Sequence, residues 1–348
     1  MLALRALVVA LALVSIASAW SVTLSTNQRF IFPAYKGPLV ALSGYSTNID
    51  IVNVQTQTLV SSPAGPSTSE APHSGSVCID PDTNSYFFSG ESYFYARDIN
   101  TGANNWKSAT WAKAFGPTCY GGVVYISTPG VSLTAVNASS GVVLWSKTSY
   151  KYWATAKPVA TEDKLFFPTS TWGIVAVNRV SGEYLWHQYE VFPNIFGSAA
   201  VVTYNKKHNA VFARVNYTLT QNEAIYRLSA SSGSKAWHQY GLDSEPWQLN
   251  VDYLATGSDQ VYTINGTRIM AYDITNGNML WSTTTGGYGS VLYFNGTVYA
   301  SGGVNVDHID PSDGEVTSSS TCVGGVTGIN IVGGVPICLG GTATVQSV

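Results

Sequence analysis

Ala96-Arg97-Asp98-Ile99-Asn100-Thr101-Gly102-Ala103-Asn104-Asn105-Trp106 is the stretch from which the architecture can be read. Weaker copies follow: Ala135-Val136-Asn137 leads to Gly141 and Trp145, Ala176-Val177-Asn178 to Gly182 and Trp186, Ser229 to Gly233 and Trp237, and Ala271-Tyr272-Asp273 to Gly277 and Trp281. A degenerate copy, Asp310-Pro311-Ser312-Asp313-Gly314, has lost its Trp. The glycines are 39, 41, 51, 44 and 37 residues apart, a period that belongs to propeller blades or solenoid coils. A repeat that runs the length of the chain describes one closed array rather than two or three domains.

Between successive Trp positions lie three or four short runs of alternating apolar and polar residues, separated by Gly, Asn, Pro or Ser turns, which is the strand signature. Ser76 to Asp80, Ser85 to Ser89, Ser92 to Asp98 and Ala103 to Lys107 are one such set. Asn265-Gly266, between Val261-Tyr262-Thr263 and Ile269-Met270-Ala271, is a hairpin signal because both central positions tolerate positive φ. Each repeat is therefore a small antiparallel sheet. Asp98, Asn137, Asn178 and Asp273 end a strand and are placed to accept backbone hydrogen bonds two or three residues on. The following Gly supplies a backbone conformation that a side chain obstructs, and the Trp, on the outermost strand, can be buried only against the next repeat.

Repeat one is irregular, with strands near Phe30 to Phe32, Leu39 to Ser43, Ile49 to Val54 and Thr58 to Ser61, and with Gln57 where Gly is expected. After Gly314 the chain supplies three more strands, Gly328 to Val332, Val335 to Leu339 and Thr342 to Val348. The fourth comes from the other end. Trp20-Ser21-Val22-Thr23 matches the outer strands Trp281-Ser282-Thr283-Thr284 and Trp145-Ser146-Lys147-Thr148. The expected fold is all-β: an eight-bladed β-propeller of four-stranded antiparallel blades, closed by pairing the N- and C-terminal strands so that no edge is left open there. A seven-bladed ring with a loose N-terminal arm is the alternative.

The motif AxDxxTGxxxW resembles the tryptophan-docking repeat of the quinoprotein-like, or pyrroloquinoline-quinone repeat, β-propeller family across the mature chain. The fit is good at Gly102, Gly141, Gly182 and Gly277 and partial at Gly233; WD40 and kelch signatures fit worse. For the dehydrogenases of that family the resemblance implies a quinone over a calcium ion, beneath an adjacent cysteine pair. The chain departs from that pattern: no two cysteines are neighbours, and no carboxylate set for calcium with a catalytic Asp can be placed. No cofactor and no metal are therefore expected, pyrroloquinoline quinone with calcium being the alternative. The superfamily also includes a bacterial outer-membrane assembly scaffold, whose lipoprotein form needs a Cys directly after the leader, where Trp20 and Ser21 stand.

Residues 1–19 read as a signal peptide, with Arg5, an apolar run from Ala6 to Ile16, and Ala17-Ser18-Ala19 at a signal-peptidase site. That run is too short to span a bilayer, and no later segment reaches ~20 apolar residues. Residues 20–348 are then a single propeller domain, secreted or extracytoplasmic, and periplasmic in a bacterium. Four cysteines, Cys78, Cys119, Cys322 and Cys338, are candidates for disulfides there. Cys322 and Cys338 are assigned to the shared blade, and Cys78 and Cys119 to similar inner strands of adjacent blades. Three pairings exist, and order alone does not choose. Asn137, Asn216, Asn265 and Asn295 head Asn-x-Ser/Thr sequons, which are glycosylation candidates in a eukaryote.

Hydrophobic residues make up 45% and charged residues 11% of the chain, which supports a large core under a weakly charged surface. A net charge of -3 with 17 basic residues gives no electrostatic footprint for nucleic acid. Trp186-His187-Gln188-Tyr189 recurs as Trp237-His238-Gln239-Tyr240; duplication explains the repetition, and strand alternation turns each His away from its Trp. The remaining place for chemistry is the set of loops that join one blade to the next. They carry aromatics beside lysines, and Trp111, Lys113, Tyr152, Trp153, Lys157 and Trp247 are the candidate ligand-binding residues, facing a protein, a glycan or a small ligand. The reading is a secreted, non-enzymatic binding or scaffold module; the alternative is a small quinone-dependent oxidoreductase.

Overall fold

The computed structural model describes residues 20–25, 30–33, 36–43, 48–63, 77–114, 116–128, 132–149, 154, 157–169, 173–189, 201–217, 222–243, 254–285, 289–341 and 343–348. The proposed leader, 1–19, lies outside them. Eight sheets of four antiparallel strands follow one another: 30–61, 77–108, 118–147, 159–188, 201–243, 254–284, 291–321, and an eighth formed by 326–347 with Ser21–Thr23 as its outer strand. The eight-bladed ring is thus closed as the repeats imply. Ser21 pairs with Gln346 and Thr23 with Thr344, and the Ser347 amide donates to the Trp20 carbonyl at 3.1 Å. Elsewhere the residue after the docking Trp pairs as Ser146 does with Thr134, so Trp20 occupies the docking register. It packs on the seam of blades eight and one, with Val22, Val54 and Val345. Ser25 then donates from its amide and hydroxyl to the buried Asp50 carboxylate of blade one, at 3.1 and 2.7 Å.

The Asx turns form as the residue types dictate. Asp98 Oδ1 accepts from the amides of Asn100 and Thr101 at 2.9 and 2.8 Å; Asn137, Asn178 and Asp273 accept from the residues two and three further on. In blade five the Ser229 hydroxyl takes this part, accepting from Ser232. Glycine at the end of each turn meets two demands. Gly233 has φ +72°, and a Cβ there would lie 2.5 Å from Cε3 of Trp186, in the preceding blade.

The docking Trp therefore closes on the Gly of the following repeat, not of its own. The indole N–H groups of Trp106, Trp145, Trp186, Trp237 and Trp281 donate to the carbonyls of Ala138, Arg179, Ala230, Ile274 and Pro311, each three residues before the docked Gly. Gln188 and Gln239, two residues after their Trp, donate to the carbonyls of Gly233 and Gly277 at 3.1 and 2.8 Å. That is the work of the Gln in the repeated Trp-His-Gln-Tyr tetrads.

Three seams depart from this device. Between blades one and two the Ser61 hydroxyl donates to the Ile99 carbonyl, and Pro63 lies over Gly102. Between eight and one the docking residue, Trp20, comes from the other end of the chain, and blade one has Gln57 where blades two to seven have Gly. Between seven and eight there is no Trp, and a disulfide joins Cys322 to Cys338. Cys322 follows the outer strand Val316–Thr321 of blade seven, so the bridge crosses a seam; its assignment to the shared blade is corrected here, because the shared blade begins at Val326. Gln346 spans the same seam, donating to the Thr321 carbonyl and accepting from the Val323 amide. Cys78, on Val77–Asp80, is bonded to Cys119, on Thr118–Tyr120, across blades two and three.

Blade one keeps the Asx turn, with Asn53 accepting from Gln55 and Thr56, but holds Gln57 at φ 59°. A side chain in that region is strained, so Gln57→Gly is expected to raise stability by about 0.5–1 kcal/mol, measured by urea unfolding. No gain would mean that the Gln side chain offsets its backbone cost.

Strand order puts the Asx turns and the first-to-second hairpins on one face of the ring. Ion pairs link successive hairpins there: Lys36 with Asp82, Lys206 with Glu162, and Lys207 and His208 with Asp259. Hydrogen bonds from Lys207, then Ser258 and His208, hold the Asp259 carboxyl down at about 2. A carboxyl depressed in the folded state stabilises it above its unfolded range, and that contribution is lost as pH falls. Asp259→Asn is expected to flatten the dependence of the thermal midpoint on pH between about 4 and about 2. An unchanged slope would assign that dependence to other carboxylates.

Candidate functional site

The opposite face carries the blade-to-blade loops and the second-to-third strand turns. Phe94–Asp98 and Asn104–Ser108 lead into a short turn, Ala109–Trp111, begun by the Ser108 hydroxyl accepting from the Thr110 amide. Trp111 is 7% exposed. Its ring stands edge-on to Phe94 and Trp106 at 6.3 and 6.5 Å, and it plugs the seam of blades two and three rather than offering its face to a ligand.

Lys113 is exposed, with its backbone at φ 57°. Its amide donates to the Gly90 carbonyl at 3.0 Å, and its ammonium pairs with Glu91 at 2.7 Å. The hydrogen bond it donates to the Glu91 carboxylate holds the Lys113 ammonium above its usual range. Beneath, Ser89 Oγ accepts from the Ala114 amide at 2.8 Å and donates to the Trp111 carbonyl at 3.1 Å. Lys107 Nζ lies 4.2 Å from the centre of the Tyr93 ring, a cation–π contact. The corner therefore presents two lysines, one carboxylate and one aromatic ring on a rigid base. Glu91, Tyr93 and Lys107 are absent from the sequence-derived set; the Gly90-Glu91-Ser92 turn between two strands was the available signal.

Lys157 is exposed, next to Pro158, whose carbonyl accepts from Thr118 Oγ1 at 2.7 Å. Tyr152, Trp153 and Trp247 lie outside the described residues. Two further aromatics are exposed on outer strands, Tyr189 just past Tyr184–Gln188 and Tyr240 within Lys235–Asp243. Tyr189 of blade four is 62% exposed and Tyr240 of blade five 59%. His187 underlies Tyr189 at 5.9 Å, and His238 underlies Tyr240 at 4.5 Å. Burial pushes the His238 imidazole down from its usual range.

Of the sequons, Asn295 is exposed at a hairpin tip, Asn137 and Asn265 are half-buried, and the Asn216 side chain lies outside the described residues. Among the described residues no three His, Cys, Asp or Glu side chains gather as a metal would require. All four cysteines are consumed in bridges between blades, so none of them forms a neighbouring pair.

The sequence model of the family described as outer membrane protein assembly factor BamB matches residues 17–201 and 198–289. No curated protein matches the chain. Among solved structures, the chain is similar to BamB from Moraxella catarrhalis, with a TM-score of 0.70 and 14% identity over 94% of this chain and 97% of that one. Sqt1 of Saccharomyces cerevisiae has a TM-score of 0.70 and 12% identity over 93% and 96%. Quinohemoprotein alcohol dehydrogenase from Comamonas testosteroni has a TM-score of 0.69 and 12% identity, over 94% of this chain and 75% of that one.

Proposed function

The chain belongs to the family described as outer membrane protein assembly factor BamB, and from that premise we propose that it is a non-enzymatic scaffold that holds a protein partner on its loop face outside the cytoplasm. The observation that carries this reading is the make-up of that face: exposed Tyr189 and Tyr240 on half-buried imidazoles, with the Lys113–Glu91 and Lys107–Tyr93 pairs on a locked corner. Aromatic anchors rimmed by charge are the usual chemistry of a protein interface. An assembly factor acts by binding other proteins, and its family supports a protein over a glycan or small ligand. Lys157, with Tyr152, Trp153 and Trp247, belongs to the proposed surface. Two disulfides suit an oxidising compartment, consistent with a cleaved leader at 1–19 and a secreted or periplasmic location. Asn295 is the proposed glycan acceptor where the host glycosylates.

The test is capture of partners by the purified protein from its native extracytoplasmic fraction, followed by affinity measurement. Tyr189→Ala with Tyr240→Ala is expected to weaken the captured partner at least about tenfold, whereas Lys206→Ala on the opposite face leaves it unchanged. Equal affinity for all three proteins would move the interface elsewhere. Addition of pyrroloquinoline quinone and calcium is expected to give neither a bound chromophore nor dye reduction; either one would restore the oxidoreductase reading.

A further inference from the structure

Asp80 ends the inner strand of blade two and is 1% exposed. Its Oδ1 accepts from the Asp82 amide at 3.1 Å, whereas Oδ2 is buried without a hydrogen-bond partner. A carboxylate oxygen in that condition is costly, since desolvation is not returned by a donor. The buried Asp50 shows the ordinary solution, with Ser25 donating to both of its oxygens.

Blade five shows what the position does. Asn205 likewise ends the inner strand Val201–Asn205, is 6% exposed, and accepts through Oδ1 from the amide of His208. Both residues open a short turn that closes on a left-handed Asn, Asn84 at φ 48° and Asn209 at φ 44°. The Asn205 amide nitrogen donates across the seam to the Gly257 carbonyl at 2.8 Å. Gly257 directly follows the inner strand Leu254–Thr256 of blade six. In blade three Tyr120, paired with Val123 as Gly257 is with Gln260, holds the corresponding position. Strand alternation puts Asp80 on the side of Cys78, which is bonded to Cys119 of blade three. Asp80 thus stands where blade five places a donor and, as a carboxylate, has none.

We infer that Asp80 is held as a neutral carboxylic acid whose Oδ2–H donates into the blade-three backbone at the Tyr120 carbonyl, as the Asn205 amide does at Gly257, making the blade two–three seam a pH-sensitive latch. Burial pushes the Asp80 carboxyl up from its ordinary value, against the opposing effect of its hydrogen bonds. The charged groups that reach it are Asp82, which raises it, and Lys36 of blade one, which lowers it; these two are paired with each other at 2.5 Å. On the blade-three side, Arg179 Nη1 comes 4.0 Å from where a Gly121 Cβ would be, and it is spent on the Tyr125 hydroxyl at 2.8 Å. A carboxyl raised in the folded state favours folding at low pH, and that contribution falls as pH rises from its unfolded value through its folded one. Deprotonation loosens the turn-face end of the seam while Cys78–Cys119 keeps the inner strands joined.

The test uses isotope-edited infrared titration of the full protein and its unfolding midpoint against pH. The Asp80 carboxyl is expected to titrate above the range of an exposed Asp, about 4. Asp80→Asn, which installs the blade-five residue, is expected to remove the protonated-carboxyl band and to gain about tenfold in folding equilibrium over the wild type between pH 5 and pH 8. The reciprocal Asn205→Asp is expected to create the same pH dependence at the blade five–six seam. Titration of Asp80 in the ordinary range, or parallel pH profiles for wild type and Asp80→Asn, would overturn the inference. Stabilisation of the wild type but not Asp80→Asn by added calcium chloride would also do so, assigning the oxygen to a cation instead.

Discussion

Trp186→Ala is expected to destabilise the ring by about 3–5 kcal/mol, the cost of removing a fully packed indole and leaving its cavity. The ring is 6% exposed and lies 5.7 Å from Phe166, and its N–H is bonded to the Ala230 carbonyl at 3.0 Å. Truncation therefore empties the space over Gly233 and leaves that carbonyl without its donor. The mechanism is separable by a double-mutant cycle with Gly233→Ala. Alone, Gly233→Ala forces a Cβ to 2.5 Å from Trp186 at a backbone of φ +72°. In the Trp186→Ala background the collision is gone, and only the left-handed backbone cost of about 1–2 kcal/mol remains. Denaturant unfolding of the four proteins is expected to give a coupling of at least about 1 kcal/mol. Additive losses would mean that the Trp and the Gly of successive repeats do not act as one joint.

The second large effect belongs to the seam that has no Trp. Cys322→Ala with Cys338→Ala is expected to cost about 3 kcal/mol, the scale for closing a loop of this length, the two residues being 16 apart in sequence. The loss should also be local. Blade eight is held by the Cys322–Cys338 bridge and Gln346 on one side and by Trp20 on the other. Amide hydrogen exchange is expected to quicken at least about tenfold in Val326–Val332, Val335–Gly340 and Ser21–Thr23. Cys78→Ala with Cys119→Ala breaks a longer loop, but Trp106 still docks on Gly141 there, and blade three should keep its protection. If blade eight exchanges at the wild-type rate without its disulfide, Gln346 and the paired terminal strand hold the seam unaided.

What could be read in advance follows the range of the interactions. The Asx turns at Asp98, Asn137, Asn178 and Asp273 were legible because donor and acceptor are two or three residues apart, so residue type and spacing suffice. Ring closure was legible because Trp20 repeats the outer-strand sequence of other blades. Ser61 and Pro63 were not legible as substitutes for a docking Trp, since their partners, Ile99 and Gly102, lie in the next blade. Trp111 joined the candidate ligand-binding residues on composition, whereas its burial depends on Trp106 and Phe94 closing around it. Glu91 went unnoticed for the same reason: only the fold brings it to Lys113.

The sequence by itself determined the repeat, its turns, the number of blades and the pairing of the two termini. These rest on period and on bonds within a few residues, which a linear string records. The tertiary structure alone decided which Gly each Trp covers, which cysteines meet across which seam, and that Asp80 Oδ2 is buried without a hydrogen-bond partner. Each is set by how one sheet stacks on the next. The Gly and Trp of the opening stretch, Gly102 and Trp106, thus belong to two different joints: one receives Pro63 from the blade before, and the other closes on Gly141 in the blade after.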